Sequence, residues 1–232
     1  MSLASQIEDF LFSLNLDLRL PEGIRVMNPY LEPDIRKIVH QFYQKYYLDN
    51  DPRNVILAIN PGRLGAGATG IPFTDTKRLS DVCGIKSTIP VTHEPSSVFV
   101  YEVIDAFGGP EKFYKEFFIG SVCPLGFLKE NEKGNWINFN YYDETPFMKL
   151  VTPFIISELQ RLLSLPLDRK TCICWGTGKN YNYLKSLNAE QKFFQRIIPL
   201  EHPRYIMQYK SKQKETYIEK YLCIFNSILR SE

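Results

Sequence analysis

Two short segments far apart in the chain carry the residues best suited to chemistry. Asn60-Pro61-Gly62 opens a glycine-rich stretch ending in Phe73-Thr74-Asp75, and Glu201-His202-Pro203-Arg204-Tyr205 lies near the carboxyl end. Gly62, Gly65, Gly67 and Gly70 fall within nine residues, a density that permits positive φ and close approach of the backbone to a ligand. No G-x-G-x-x-G opens a helix here and no Gly-Lys-Ser/Thr follows, so neither a dinucleotide fingerprint nor a P-loop is present. The first segment is thus a site loop of another kind, with a glycine-rich turn free of chemistry as the alternative for the loop taken alone. Gly176-Thr177-Gly178-Lys179 offers backbone amides that could hold a phosphate, or a plain strand-to-helix turn.

The remaining reactive side chains are less informative. Cys172 and Cys174 share one face of a strand, but no second pair completes a four-ligand zinc site, and five cysteines at 83, 123, 172, 174 and 223 fit no iron–sulfur spacing. Buried free thiols are expected, with no metal and no cofactor. His40 falls in a helical stretch without a polar partner nearby in sequence and is read as a surface or packing residue.

The elements that must position these residues follow from hydrophobic period. Residues 54–59 contain an unbroken apolar run without helical spacing, the pattern of a strand buried in a parallel sheet. Further strands are expected at 118–123, 171–175 and 195–200, and an edge hairpin or loop at 134–142. Helices are expected at 4–15, 33–48, 76–83, 96–108, 110–117, 143–165 with a kink or restart at Pro153, 179–187, 188–194 and 213–230. Asp75 is placed to cap the helix that begins at residue 76. This alternation implies a three-layer α/β/α fold with a mainly parallel central sheet, and the loops after residues 59 and 200 are candidates to meet at one sheet edge, where open α/β sheets place their sites.

Composition sets the outer limits. A chain of 232 residues with 44% hydrophobic and 23% charged residues suits one globular domain, taken as residues 1–232 with 1–50 as its helical N-terminal region. A net charge of +2 does not by itself argue for a nucleic-acid partner. There is no run of 18 apolar residues, and the N-terminus lacks the basic start and apolar core of a signal peptide, so a cytoplasmic, non-membrane protein is expected, nucleoid-associated if bacterial.

Asn60-Pro61-Gly62, Gly70-Ile71-Pro72-Phe73, Cys123-Pro124-Leu125 and His202-Pro203-Arg204 occur in that order, each at or just beyond the end of an expected strand. Together they resemble the SMUG-type branch of the uracil-DNA glycosylase superfamily, over about residues 50–232. The resemblance implies the uracil-DNA glycosylase-like fold and a monofunctional enzyme that flips a deaminated base out of single- or double-stranded DNA and hydrolyses its N-glycosidic bond. It acts without metal, and a monomer is the default. By the same resemblance Asn60 orients the attacking water and His202 donates a hydrogen bond to the departing base, with Gly62, Ala66, Phe73 and Ser121 lining the base site and Phe73 stacking on the base. Arg204, Tyr205, Lys210 and Lys212, with Lys214 beyond them, fall where the family inserts a wedge loop into the duplex. Asp75 is a possible auxiliary to catalysis, with helix capping the competing role.

Three departures from the family pattern bear on specificity. His202-Pro203-Arg204 is shorter than the family's usual His-Pro-Ser-Pro-Arg, Ser121 replaces an asparagine that reads the pyrimidine edge, and Ala66 replaces a larger methionine. The last two imply a roomier site, in which uracil is still cleaved and larger deaminated bases such as xanthine are accepted. A damaged-base binding protein with little catalysis is the alternative, since Ser121 breaks a recognition contact. A hydrolase of free nucleosides is a third reading, disfavoured by the basic segment after His202.

Overall fold

A computed structural model describes residues 1–230. In chain order its elements are α1 (Leu3–Phe12), β1 (Ile24–Met27), α2 (Pro33–Tyr46), β2 (Arg53–Ala58), α3 (Ala66–Thr69), α4 (Thr76–Asp81), α5 (Pro95–Phe107) and α6 (Pro110–Glu116). There follow β3 (Phe117–Ser121), β4 (Gly126–Glu130), β5 (Trp136–Phe139), α7 (Thr145–Leu162), β6 (Leu167–Trp175), α8 (Lys179–Gln191), β7 (Arg196–Leu200), α9 (Pro203–Tyr209) and α10 (Lys214–Leu229).

Four strands form a wholly parallel sheet in the order β3-β2-β6-β7. Every residue of β2 is buried, as its unbroken apolar run requires of a strand covered on both faces. Helices α1, α2 and α7 pack together, while α5, α9 and α10 form a second group. Adjacent residues of β3 divide between these layers, because successive strand side chains point to opposite faces. Phe117 meets Phe107 of α5 and Phe225 of α10, whereas Phe118 meets Tyr47 just beyond α2. Each such fully buried ring contributes roughly 1.5–3 kcal/mol relative to exposure. The fold is therefore three layers around a parallel sheet, and one hydrophobic cluster extends from Leu3 to Ile228. Among the described residues no helix is long and apolar enough to cross a membrane.

Several expectations change. A second, three-stranded antiparallel sheet, β1-β4-β5, was not legible beyond the edge hairpin expected near 134–142, so the N-terminal region is not purely helical. Helix α7 runs through Pro153 without restarting, and α8 continues to Gln191 where separate helices at 179–187 and 188–194 were expected. Lys192 ends α8 in the left-handed region, at φ 55°. The segment after His202 is not a loop: Pro203 occupies the first helical position, where its missing N–H costs nothing, and α9 follows at once.

The free cysteines are consistent with packing roles at four positions, Cys83, Cys123, Cys172 and Cys174 being buried, while Cys223 is exposed. His40 bonds Glu8 of the neighbouring helix at 2.9 Å through Nδ1, a link the local sequence did not reveal.

Candidate active site

Strand β2 delivers Asn60 at its carboxyl end, and the segment leaving β5 orients the amide. Asn60 Nδ2 donates to the carbonyls of Phe139 at 3.4 Å and Pro61 at 3.3 Å, and Oδ1 accepts the N–H of Tyr141 at 3.4 Å. Bonds this long set direction more than they add stability. On β5 itself Asn138 accepts the N–H of Arg63 at 3.0 Å, so this edge strand anchors the glycine-rich loop while its last residue and the segment after it orient the asparagine. Beneath them, buried Asn180 donates to the carbonyls of Ala58 at 3.3 Å and Trp175 at 3.2 Å and accepts the Tyr141 hydroxyl at 2.6 Å. The Gly176-Thr177-Gly178 turn thus delivers a side chain that ties the ends of β2 and β6 together.

Only Gly70 among the four loop glycines takes a positive φ, 77°. It ends α3, and a Cβ there would lie 2.5 Å from Val39 Cγ2, so both conformation and space demand glycine. The turn it makes carries Phe73 into the left-handed region as well, at φ 52°. A bulky residue held so stores on the order of 1–3 kcal/mol of strain, which the surroundings must fix. Thr69 does part of that, its hydroxyl donating to the Thr74 carbonyl at 2.6 Å. The Phe73 ring packs edge-on against Trp175, 5.0 Å between centroids, and tilts against His202 at 5.5 Å.

His202 follows β7 and caps α9. Its Nδ1 accepts the backbone N–H of Arg204 at 3.1 Å, which assigns the proton of the neutral ring to Nε2. Burial and the nearby Arg204 charge push its pKa down to about 4, so at neutral pH the ring is an uncharged donor. The Tyr221 hydroxyl donates to the carbonyl of Glu201 and holds the preceding residue.

These side chains converge on one cavity of about 280 Å³. Asn60, Gly62, Ala66, Phe73, Ser121 and His202 line it, and Arg204 and Tyr205 stand at its wall on α9. A second space of about 30 Å³ lies behind Ala66 and Ser121 against Tyr30 and Phe118. Lys210 and Lys212 do not line the cavity, and Lys214 is paired with Glu102 at 2.7 Å. Residues 203–209, where a wedge loop was expected, form a helix whose exposed Tyr205 and Tyr209 rings lie 5.5 Å apart.

Asp75 is fully buried and does cap α4. Its Oδ1 accepts the Arg78 N–H at 2.9 Å, and Oδ2 accepts the Glu94 N–H at 2.9 Å and the Arg78 guanidinium at 3.2 Å. Burial pushes the carboxyl up, but the bonds from the Glu94 and Arg78 backbone outweigh it and the pKa is lowered. Asp75 sits behind the cavity and is absent from its wall.

Sequence reasoning missed several residues of the wall: Glu94, Ser96, Asn138, Asn140, Tyr142 and Gln208. A signal existed for two of them, as Asn138 on β5 and Asn140 one residue past its end are two apart, the spacing of one strand face. Glu94 left a fainter one. It stands at the N-cap of α5, a position that favours shorter side chains, and makes no capping bond.

Comparison with known proteins identifies the family. The Uracil DNA glycosylase superfamily profile matches residues 45–226. The single-strand selective monofunctional uracil-DNA glycosylases of Rattus norvegicus and Mus musculus are 27% and 26% identical over 128 residues, 48% of this chain and 45% of each of those proteins. The chain thus matches less than half the length of these curated relatives. The crystal structure of wild-type Pedobacter heparinus SMUG2 superposes with a TM-score of 0.97 at 49% identity, covering 99% of both chains. With the profile spanning most of the sequence and a solved relative matching it end to end, the chain belongs to the SMUG branch of the uracil DNA glycosylase superfamily.

Proposed function

We propose that the chain is a monofunctional DNA glycosylase that extrudes uracil, and larger deaminated bases such as xanthine, and hydrolyses the bond between base and sugar. The observation that carries this reading is that Asn60 and His202 line one cavity beside the Phe73 ring, with His202 Nδ1 accepting the Arg204 N–H. Names of relatives add weight: two are uracil-DNA glycosylases by name.

In this mechanism the base leaves its stack and lies on Phe73, whose aromatic face replaces the lost stacking. The C1′–N bond breaks with its electron pair going to the base, and the sugar becomes electron-poor. His202 Nε2–H donates to the base oxygen on which negative charge accumulates, a contact worth most at the transition state. A water held by the Asn60 amide oxygen bonds to C1′, and its proton passes to the departed base anion, directly or through solvent. Asn60 is no strong base, and none is needed where the leaving group departs as a stabilised anion. Ser121 and Ala66 present short side chains where space continues behind them, which favours admission of a two-ring base.

The test is base release from oligonucleotides carrying one uracil or one xanthine, single-stranded and paired, in the presence of chelator, with alkali revealing abasic sites. Release of both bases is expected. Release of uracil with complete inertness toward xanthine would remove the enlarged-site part, and no release from lesion DNA that the protein binds would favour a binding protein instead.

A further inference from the structure

The cavity wall holds one acid for which the mechanism above has no use. The Glu94 side chain does not cap its own helix but turns into the cavity shared with Phe73, His202 and Arg204. Its Oε2 is buried and has no hydrogen-bond partner among the described residues. Room for it is made by Gly65, where an added Cβ would lie 2.2 Å from that oxygen. The backbone beneath is held from both directions. The Glu94 N–H donates to Asp75 at 2.9 Å, and its carbonyl accepts the Ser97 hydroxyl at 2.8 Å. A carboxyl aimed into a site by a glycine and a buried aspartate, yet left unpaired, lacks a partner that a bound ligand can supply.

We propose that Glu94 is a further substrate-contacting residue of this site, acting as an uncharged carboxylic acid that donates a hydrogen bond to the extruded nucleotide. The inference rests on the glycosylase reading above. Its physical basis is the charge that the reaction creates. The departing base becomes an anion, and the DNA brings phosphates to the rim. A carboxylate in the wall opposes both, whereas a carboxylic acid opposes neither and offers a donor.

The surroundings favour the acid form. Asp75 carries its negative charge behind Glu94, with Arg78 and His93 grouped around that aspartate, and Arg204 and the neutral His202 face the cavity from α9 and its cap. Burial and the Asp75 charge together raise the Glu94 pKa to about 7, against the opposing influence of Arg204.

The experiment is the single-turnover rate of uracil release between pH 6 and 8, for the parent, Glu94→Gln and Gly65→Ala, each first checked by thermal melting. Uracil is used because its own ring proton titrates above this range. A single group titrating near 7 lowers the parent rate by about tenfold across that interval. Glu94→Gln keeps an uncharged donor at every pH, so its rate should not fall. Gly65→Ala displaces the flexible carboxyl and should blunt the fall without altering Glu94 itself. A parent profile that is flat, or one that Glu94→Gln reproduces, overturns the proposal while leaving the glycosylase reading intact. A parent that releases no base at any pH overturns both.

Discussion

The backbone N–H of Arg204 donates to Nδ1 of His202 at 3.1 Å, and that bond decides which ring nitrogen holds the proton. Protonating Nδ1 would set two donors against each other at the start of α9. The ring's pKa of about 4 makes this a low-pH event. Uracil release should therefore hold steady as pH falls from 6 to 5 and decline only on approach to about 4, measured by single-turnover rates. An acid limb centred near the ordinary histidine value would contradict the assignment.

Glu94 also affects stability, with a definite sign. Its folded-state pKa of about 7 lies above the ordinary 4.5, so the folded protein retains a proton that the unfolded chain releases between those values. The favourable contribution present at low pH is lost as pH rises through about 7. Glu94→Gln should melt at a higher temperature than the parent at pH 8, and the gap should narrow by pH 5. Equal melting temperatures at pH 8 would mean that the buried carboxylate is compensated by a partner.

For Asp75 the geometry argues a structural duty. Loss of its cap in Asp75→Ala should cost about 0.5–2 kcal/mol, and freeing the Glu94 N–H adds to that. The carboxyl's pKa is lowered, so its stabilisation is present above the ordinary value of 3.8 and disappears as pH falls through the folded value. Urea melts of parent and variant at pH 7 check this. A variant as stable as the parent yet inactive would make Asp75 a participant in the chemistry.

Ser121 lines both the cavity and the small space behind it. Ser121→Asn fills the space toward Tyr30 and Phe118 and restores an amide able to read a pyrimidine edge. The ratio of kcat/KM for uracil over xanthine should rise by about tenfold. An unchanged ratio would mean that discrimination is set elsewhere on the wall.

What the sequence revealed, and what it hid, follows from how each element is buried. Strand β2 was legible because both faces are covered and the apolar run is unbroken, and the end of that run located Asn60. The polar edge strands were harder. Ile24-Arg25-Val26-Met27 exposes its two central residues and is only four residues long, so no period stands out. Helix α9 was hidden by its own start signal, since Pro203 reads as a breaker in a loop and as an ideal first residue in a helix. Glu94 illustrates a different limit. Its importance comes from Gly65 and Asp75, which precede it by 29 and 19 residues, and from Arg204, 110 residues beyond it, and only the folded chain brings them together. The left-handed Phe73 is likewise invisible in sequence, because nothing in its residue type asks for a positive φ.

In the proposed mechanism Asn60 and His202 act on one extruded nucleotide through a placed water and a neutral donor. Single-turnover release of uracil from a defined oligonucleotide, by the parent, Asn60→Ala and His202→Ala, tests it most directly. Both variants should stay folded and bind the lesion DNA, and His202→Ala should be slowed by about 10²–10³, the usual cost of removing an oxyanion donor, with Asn60→Ala also strongly impaired. Parent-like rates in either folded variant would contradict the account.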